Sequence, residues 1–194
     1  MVAEGFRACH HSPCGEGLGS AGEFGPHFME EIRYAYCDSL LGTMLLAADE
    51  RGLRSINFPG SKKAERPQPG WREDGAGFAE TIRQLSAYFA GELTDFDVPL
   101  ALEGTEFQLR VWQILRGIPY GETISYGQLA ARLGNPKAAR AVGLANGSNP
   151  VPIIIPWHRV IGSNGSLVGY GGGLANKKTL LALESRQRSL IGAP

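Results

Sequence analysis

"SYGQLAARLGNPKAARAVGLAN", residues 125–146, is the stretch on which the fold turns. It contains two short helical segments with a break between them. Ser125 can cap the first, "SYGQLAARL" (125–133), by accepting a backbone N–H of the opening turn. "GNP" (134–136) ends it, because glycine and proline both interrupt helical geometry. "KAARAVGLAN" (137–146) then reads as a second helix, with Lys137 and Arg140 near its start. Two short helices joined by a Gly-containing turn make a helix-turn-helix candidate. Many helical hairpins share this pattern, so the charge around it has to decide.

The 194 residues carry 19 Lys+Arg and 19 Asp+Glu, a formal net charge of zero, but the charges are unevenly spread. Residues 1–104 hold 9 Lys/Arg against 16 Asp/Glu, and residues 105–194 hold 10 against 3. The second half is therefore basic by seven charges and the first acidic by the same number. Such asymmetry points to a polyanion partner for the basic half, with two mutually attracting faces as the bland alternative. Together with the helix pair it favours DNA.

Working outward, "TEFQLRVWQILRGI" (105–118) reads as a helix capped by Thr105, with Phe107, Val111, Ile114 and Leu115 on one face. "LANKKTLLALES" (174–185) reads as a closing helix with Leu180, Leu181 and Leu183 apolar and Glu184 near its end. Upstream, "IRYAYCDSLLGTMLLAADERGLRSINF" from Ile32 reads as strands with turns at "DSLLG" and "DERG". "KKAERPQPGWREDG" (62–75) is a polar loop. "FAETIRQLSAYFAGE" (78–92) places Phe78, Ile82, Leu85 and Phe89 at helical spacing and stops at Gly91. "LTDFDVPLALEG" (93–104) looks like an extended linker. The expected organisation is a flexible tail (1–27), an α/β first domain (28–98), a linker (99–104), a DNA-binding second domain (105–187) and a short tail (188–194).

Residues 1–27 hold six Gly, two Pro and no periodic apolar pattern. The three cysteines, Cys9, Cys14 and Cys37, are an odd count that argues against a disulfide framework and for a reducing compartment. "CHHSPC" (9–14) raises a metal site at Cys9, His10, His11 and Cys14, but its spacing fits no common zinc pattern; no metal is expected. The apolar runs fall far short of the ~20 residues of a membrane span, and the N-terminus lacks an apolar signal core.

"IPWHRV" (155–160) contains the chemical puzzle. Histidine is the usual general base near neutral pH and commonly serves a neighbouring nucleophile. The neighbour here is Trp157, whose indole offers one N–H donor and no group suited to attack.

At "NPVPIIIPWHRVIG" (149–162), flanked by "SYGQLA", "NPKAARAVG", "GYGGG" and "KKTLLALE", the sequence resembles the O6-alkylguanine-DNA alkyltransferases over roughly residues 30–186. The resemblance implies a two-domain α/β (α+β) fold: a small ribonuclease H-like sheet-plus-helix domain, then a winged-helix or helix-turn-helix domain. In that family the position of Trp157 is the cysteine that accepts the alkyl group as a thiolate, a species tryptophan cannot supply. Tryptophan there marks the alkyltransferase-like proteins, which bind alkylated guanine without repairing it.

The resemblance assigns His158 and Glu184 to an inherited relay and Asn149 to bracing the reactive segment. It places Trp157, Tyr126, Val160, Tyr170, Gly171, Gly172 and Gly173 around a lesion pocket. Arg140 is the finger that replaces an extruded base, with Tyr126, Lys137, Ala139 and Arg159 as further DNA contacts. A flipped base costs a few kcal/mol, and a planar guanidinium suits the vacated space.

The expected function is thus a non-catalytic sensor of O6-alkylguanine in duplex DNA that passes the lesion to nucleotide excision repair proteins. The alternative is an alkyltransferase-fold protein altered at its acceptor position, or one with weak residual dealkylation by water. A helix-turn-helix transcriptional regulator is the third reading. No cofactor and no membrane partner are expected, and a monomer is. The expected location is the cytoplasm, with the nucleoid if the source is bacterial and the nucleus if it is eukaryotic.

Overall fold

The computed structural model describes residues 31–60 and 66–191, with side chains to residue 186. The proposed tail at 1–27 and its Cys9–Cys14 segment lie outside the described residues. No helix among those described is long and apolar enough to cross a membrane.

The first domain is built on a four-stranded sheet of order β3-β2-β1-β4. Strands β1 (Arg33–Cys37), β2 (Met44–Asp49) and β3 (Gly52–Asn57) pair antiparallel in sequence order. β2 lies between two partners and is buried along its whole length, as its run "MLLAAD" requires of a central strand. The "DERG" turn closes through Asp49, whose carboxylate accepts the backbone N–H groups of Arg51 and Gly52. Gly52 has φ +142, and a Cβ there would strike the carbonyl of Pro99.

That close approach reflects an unexpected pairing. The supposed linker is hydrogen-bonded to β3: Leu53 N–H donates to Pro99 O (2.8 Å) and Ala101 N–H to Leu53 O (3.0 Å). The polar loop 62–75 also contributes a strand, β4 (Arg72–Glu73), parallel to β1. Helix α1 (Ala79–Ala90) ends at Gly91 in the left-handed conformation, φ 79. Its buried residues are Gln84, Leu85 and Tyr88. Ile82 and Phe89, which share helical spacing with Leu85 in the sequence, are only partly buried.

In the second domain, α2 (Glu106–Arg116) starts with a full capping box between Thr105 and Gln108. Its buried face is Val111, Trp112 and Leu115; Phe107, expected inside, is 38% exposed. Trp112 takes its place because the indole N–H reaches Ala145 O at 2.9 Å and ties α2 to the next-but-one helix. Strand β5 (Ile124–Ser125) leads into α3 (Tyr126–Arg132), which carries a second capping box, Ser125 with Gln128. Gly134, φ 80, makes the turn, a 3-10 turn follows at Pro136–Ala138, and α4 (Ala139–Gly147) completes the pair.

The chain then runs through a buried loop to β6 (Val160–Ile161), parallel to β5. It closes with α5 (Leu174–Ile191), which extends past the expected end at 185 because no glycine or proline interrupts it before Gly192. Both domains share one buried cluster, from Leu46 and Leu85 to Val142, Ile155 and Leu180.

Candidate functional site

The loop 149–156 holds the site in place. Asn149 braces it from both sides: its Nδ2 donates to Ile155 O (2.9 Å) and its Oδ1 accepts Val151 N–H (3.0 Å). Ile153 sits inside this loop at φ +77, a region that branched side chains rarely adopt. A local strain of this kind persists only where surrounding contacts over-determine it. Pro156 then starts a single 3-10 turn, Trp157–Arg159, whose three side chains are all buried.

Trp157 lies at 6% exposure. Its indole N–H donates to the Tyr126 hydroxyl (3.1 Å), which in turn donates to Val168 O (3.3 Å). The indole packs on Tyr170, with ring centroids 5.2 Å apart, and lies against Gly169 and Gly171. Tyr126, Trp157, Tyr170 and Gly171, expected around one pocket, are thus in one place, with the indole filling the space between the two tyrosines. Gly172 faces the first domain: a Cβ there would collide with the ring of Phe58. Phe58 also sits 6.0 Å from Tyr170, centroid to centroid.

His158 and Glu184 meet in the interior, Nε2 to Oε1 at 2.8 Å, at 0% and 1% exposure. Glu184 also accepts from the Tyr88 hydroxyl (2.8 Å), from Gly121 N–H (3.0 Å) and from Arg159 Nε and Nη2 (3.0 and 2.9 Å). Burial alone would push its carboxyl up; the hydrogen bonds and charge from His158 and Arg159 overcome this and bring it to about 2. His158 moves below its ordinary value because burial outweighs the carboxylate beside it. Near neutral pH the cation that holds the Glu184 carboxylate is therefore Arg159, with the imidazole neutral; His158 adds its charge only at the lower pH where it is protonated. Nε2–H donates to Glu184 in that tautomer, leaving the lone pair on Nδ1. That Nδ1 is buried and has no hydrogen-bond partner.

Arg159 was expected at the DNA. It is instead 5% exposed, with Nη1 donating to Ile118 O and its guanidinium 5.5 Å from the Tyr120 ring centre. A buried ion pair cannot be spared for a phosphate without leaving Glu184 uncompensated. Val160 is fully buried and contributes its carbonyl to Lys177 Nζ (2.6 Å) rather than a wall to an open pocket.

Lys177 escaped the sequence reading. Its Nζ also reaches Val168 O (2.9 Å), so it pins the loop carrying Tyr170 to β6, and burial lowers it to about 8. Its spacing held a usable signal: Lys177, Leu180 and Glu184 recur at i, i+3 and i+7 and so share one helix face. Tyr88 was missed as well.

Arg140 is exposed at the start of α4 and Lys137 in the 3-10 turn before it, with Ala139 half-buried between them. Several carboxylates of the first domain pair with its own arginines: Asp74 with Arg33, Asp49 with Arg51 and Arg54, Glu103 with Arg51 and Arg54, and Glu80 with Arg83. Among the described residues no cluster of His, Cys, Asp or Glu could hold a metal ion.

Comparison with known proteins bears directly on this site. Residues 32–102 match the family model described as 6-O-methylguanine DNA methyltransferase, ribonuclease-like domain, and residues 106–186 match the DNA binding domain of the same family. The chain is 59% identical to a methylated-DNA–protein-cysteine methyltransferase of Methanosarcina acetivorans over 78% of this chain and 97% of that protein. It is 54% identical to the protein of that name from Mycolicibacterium paratuberculosis, over 80% and 93%. The crystal structure of Mycobacterium tuberculosis O6-methylguanine methyltransferase superposes with a TM-score of 0.74 at 49% identity, covering 84% of this chain and 95% of that one. A structure of that protein in complex with DNA superposes equally well.

These relatives overturn two expectations. The main reading, a non-catalytic sensor that passes its lesion to excision repair, does not stand, because the relatives that match both domains are named as methyltransferases. The reading of the chain as no enzyme falls with it. Both had been drawn from the single residue Trp157, against a match that spans two domains. The chain belongs to the 6-O-methylguanine DNA methyltransferase family.

Proposed function

We propose that this chain is an alkyltransferase-fold protein directed at O6-alkylguanine in duplex DNA, with its acceptor position replaced by Trp157 and a weak dealkylation left to His158. The observation that carries this reading is a complete relay around a residue that cannot accept. Glu184 is ionised, His158 is neutral, and the free lone pair at Nδ1 has no partner. A base held in that state can take a proton from water. The water oxygen would then bond to the alkyl carbon as the carbon–O6 bond breaks, giving an alcohol and restored guanine. The electron pair of the broken bond stays with guanine, which takes up a proton. His158 is at 0% exposure, so water reaches Nδ1 only when the packed site opens, which keeps the reaction slow.

DNA engagement is supported by the family match over 106–186 and by a relative crystallised with DNA. Arg140, exposed near the start of α4, is the residue to enter the stack when the damaged base leaves it, with Lys137 holding backbone phosphate. The test is alkyl transfer from an O6-methylguanine duplex at equal protein and DNA. Trp157→Cys should carry one methyl group per protein, and the unmodified chain none. A Trp157→Cys protein that folds, binds the duplex and takes up no methyl would overturn the reading.

A further inference from the structure

We propose that Tyr88, a residue of the first domain, is a positioning residue of the His158–Glu184 relay. Its hydroxyl donates to Glu184 Oε1 at 2.8 Å, and that same oxygen accepts His158 Nε2–H at 2.8 Å. Tyr88 is at 0% exposure, Glu184 at 1% and His158 at 0%, so no solvent competes at this junction. The contact spans 96 residues and joins α1 to α5, so it brings a first-domain hydroxyl directly onto the relay.

The ring is held firmly enough to aim the hydroxyl. It packs edge-on against Phe89 and Tyr120, at 5.4 and 5.9 Å, and lies 5.3 Å from Phe96. A phenylalanine would fill the same core, so the hydroxyl is the informative group. A buried phenol that gives its proton to a carboxylate draws charge from the oxygen that His158 shares. Tyr88 thereby weakens the pull of Glu184 on the imidazole and helps to keep Nδ1 unprotonated. The other charged and titratable groups facing the pair are Arg159 on the same turn, Lys177 on α5, and Tyr120 and Tyr170 from the flanking loops. Of these, Arg159 also hydrogen-bonds Glu184, through Nε and Nη2.

The role in the alkyl reaction rests on the function proposed above, so the primary test is independent of it. In the full chain labelled at histidine, the Nε2–H proton resonance of His158 reports the strength of its bond to Glu184. Tyr88→Phe should move that resonance downfield, because Glu184 Oε1 loses a competing donor. Site-specific replacement of Tyr88 by 3-fluorotyrosine, a more acidic phenol and a stronger donor, should move it upfield. A Tyr88→Phe protein with native dispersion and an unmoved resonance overturns the proposal, and so does a fluorotyrosine shift in the same direction as that of Tyr88→Phe.

A second readout uses Trp157→Cys. Adding Tyr88→Phe should shift the acid limb of methyl transfer to higher pH, since His158 now holds a proton longer. An unshifted limb counts against the proposal. If Trp157→Cys transfers nothing at all, the functional reading fails while the resonance still judges Tyr88.

Discussion

Trp157 and His158 are adjacent and do opposite things. The indole spends its one donor on Tyr126 and fills a space, while the imidazole keeps its one acceptor free. What makes the imidazole usable is Glu184, and that pair contributes to the acid behaviour of the fold. Glu184 is pushed down from 4.5 to about 2, so its contribution to stability is present above the unfolded value and is lost as pH falls from about 4.5 toward 2. His158 is also lowered, so the unfolded chain binds its proton first, and stability falls as pH drops below the ordinary histidine value of 6.5. The two effects have the same sign and occupy successive windows. Melting temperature measured from pH 7 to pH 3 should therefore fall continuously. In Glu184→Gln the lower window should flatten, although the variant starts less stable by roughly 3–5 kcal/mol because Arg159 is left buried without its partner. An unchanged acid slope in that variant would remove Glu184 from the account. The histidine and the glutamate were legible in the sequence by resemblance. The buried state of Arg159 was not, because a lone arginine in a basic half reads as a phosphate contact until its neighbours are known.

The elements that position these residues were mostly readable from local chemistry. Thr105 and Ser125 announce α2 and α3, each with a glutamine three residues on, and both capping boxes form. Periodicity did less well where a large side chain found a specific partner, as Trp112 did at Ala145 and Tyr88 at Glu184. Short parallel pairings such as β1 with β4 leave almost no local signal, because their partners are distant in sequence. Two predictions belong at this scale. Gly172→Ala should destabilise the protein by about 1–3 kcal/mol in a denaturant titration, since its Cβ meets the Phe58 ring in a packed interior. A neutral result would mean that the loop carrying Tyr170 is free to move away from the first domain. Arg140→Ala should weaken binding to an O6-methylguanine duplex by about tenfold or more and to the undamaged duplex by less. Equal losses on both duplexes would reduce Arg140 to a phosphate contact.

Across the whole molecule the charge division seen in the sequence survives folding in a particular way. The first domain holds several of its acids in internal ion pairs, while the second buries Arg159 and Lys177 and leaves Lys137 and Arg140 at the surface. Affinity for any duplex should therefore fall as salt rises, by roughly tenfold or more between 50 and 200 mM for a protein neutralising several phosphates. Fluorescence anisotropy across that range measures it, and a flat salt response would exclude phosphate contacts as the main term. The two domains are also one structural unit: Phe58 and Tyr88 come from the first and touch Tyr170, Gly172 and Glu184 in the second. The sequence divided them at a linker that is in fact hydrogen-bonded to β3, so the junction looked looser than it is.

The measurement that tests the central claim most directly is mass spectrometry of protein and DNA after one equivalent of O6-methylguanine duplex. Wild-type chain and Trp157→Cys would be compared in parallel. The account predicts one added methyl group at position 157 of the variant. It predicts no added methyl on the wild-type chain, whose DNA is demethylated only slowly. Methyl found on the wild-type protein would contradict it, because another residue would then be the acceptor and Trp157 would not be the replaced position.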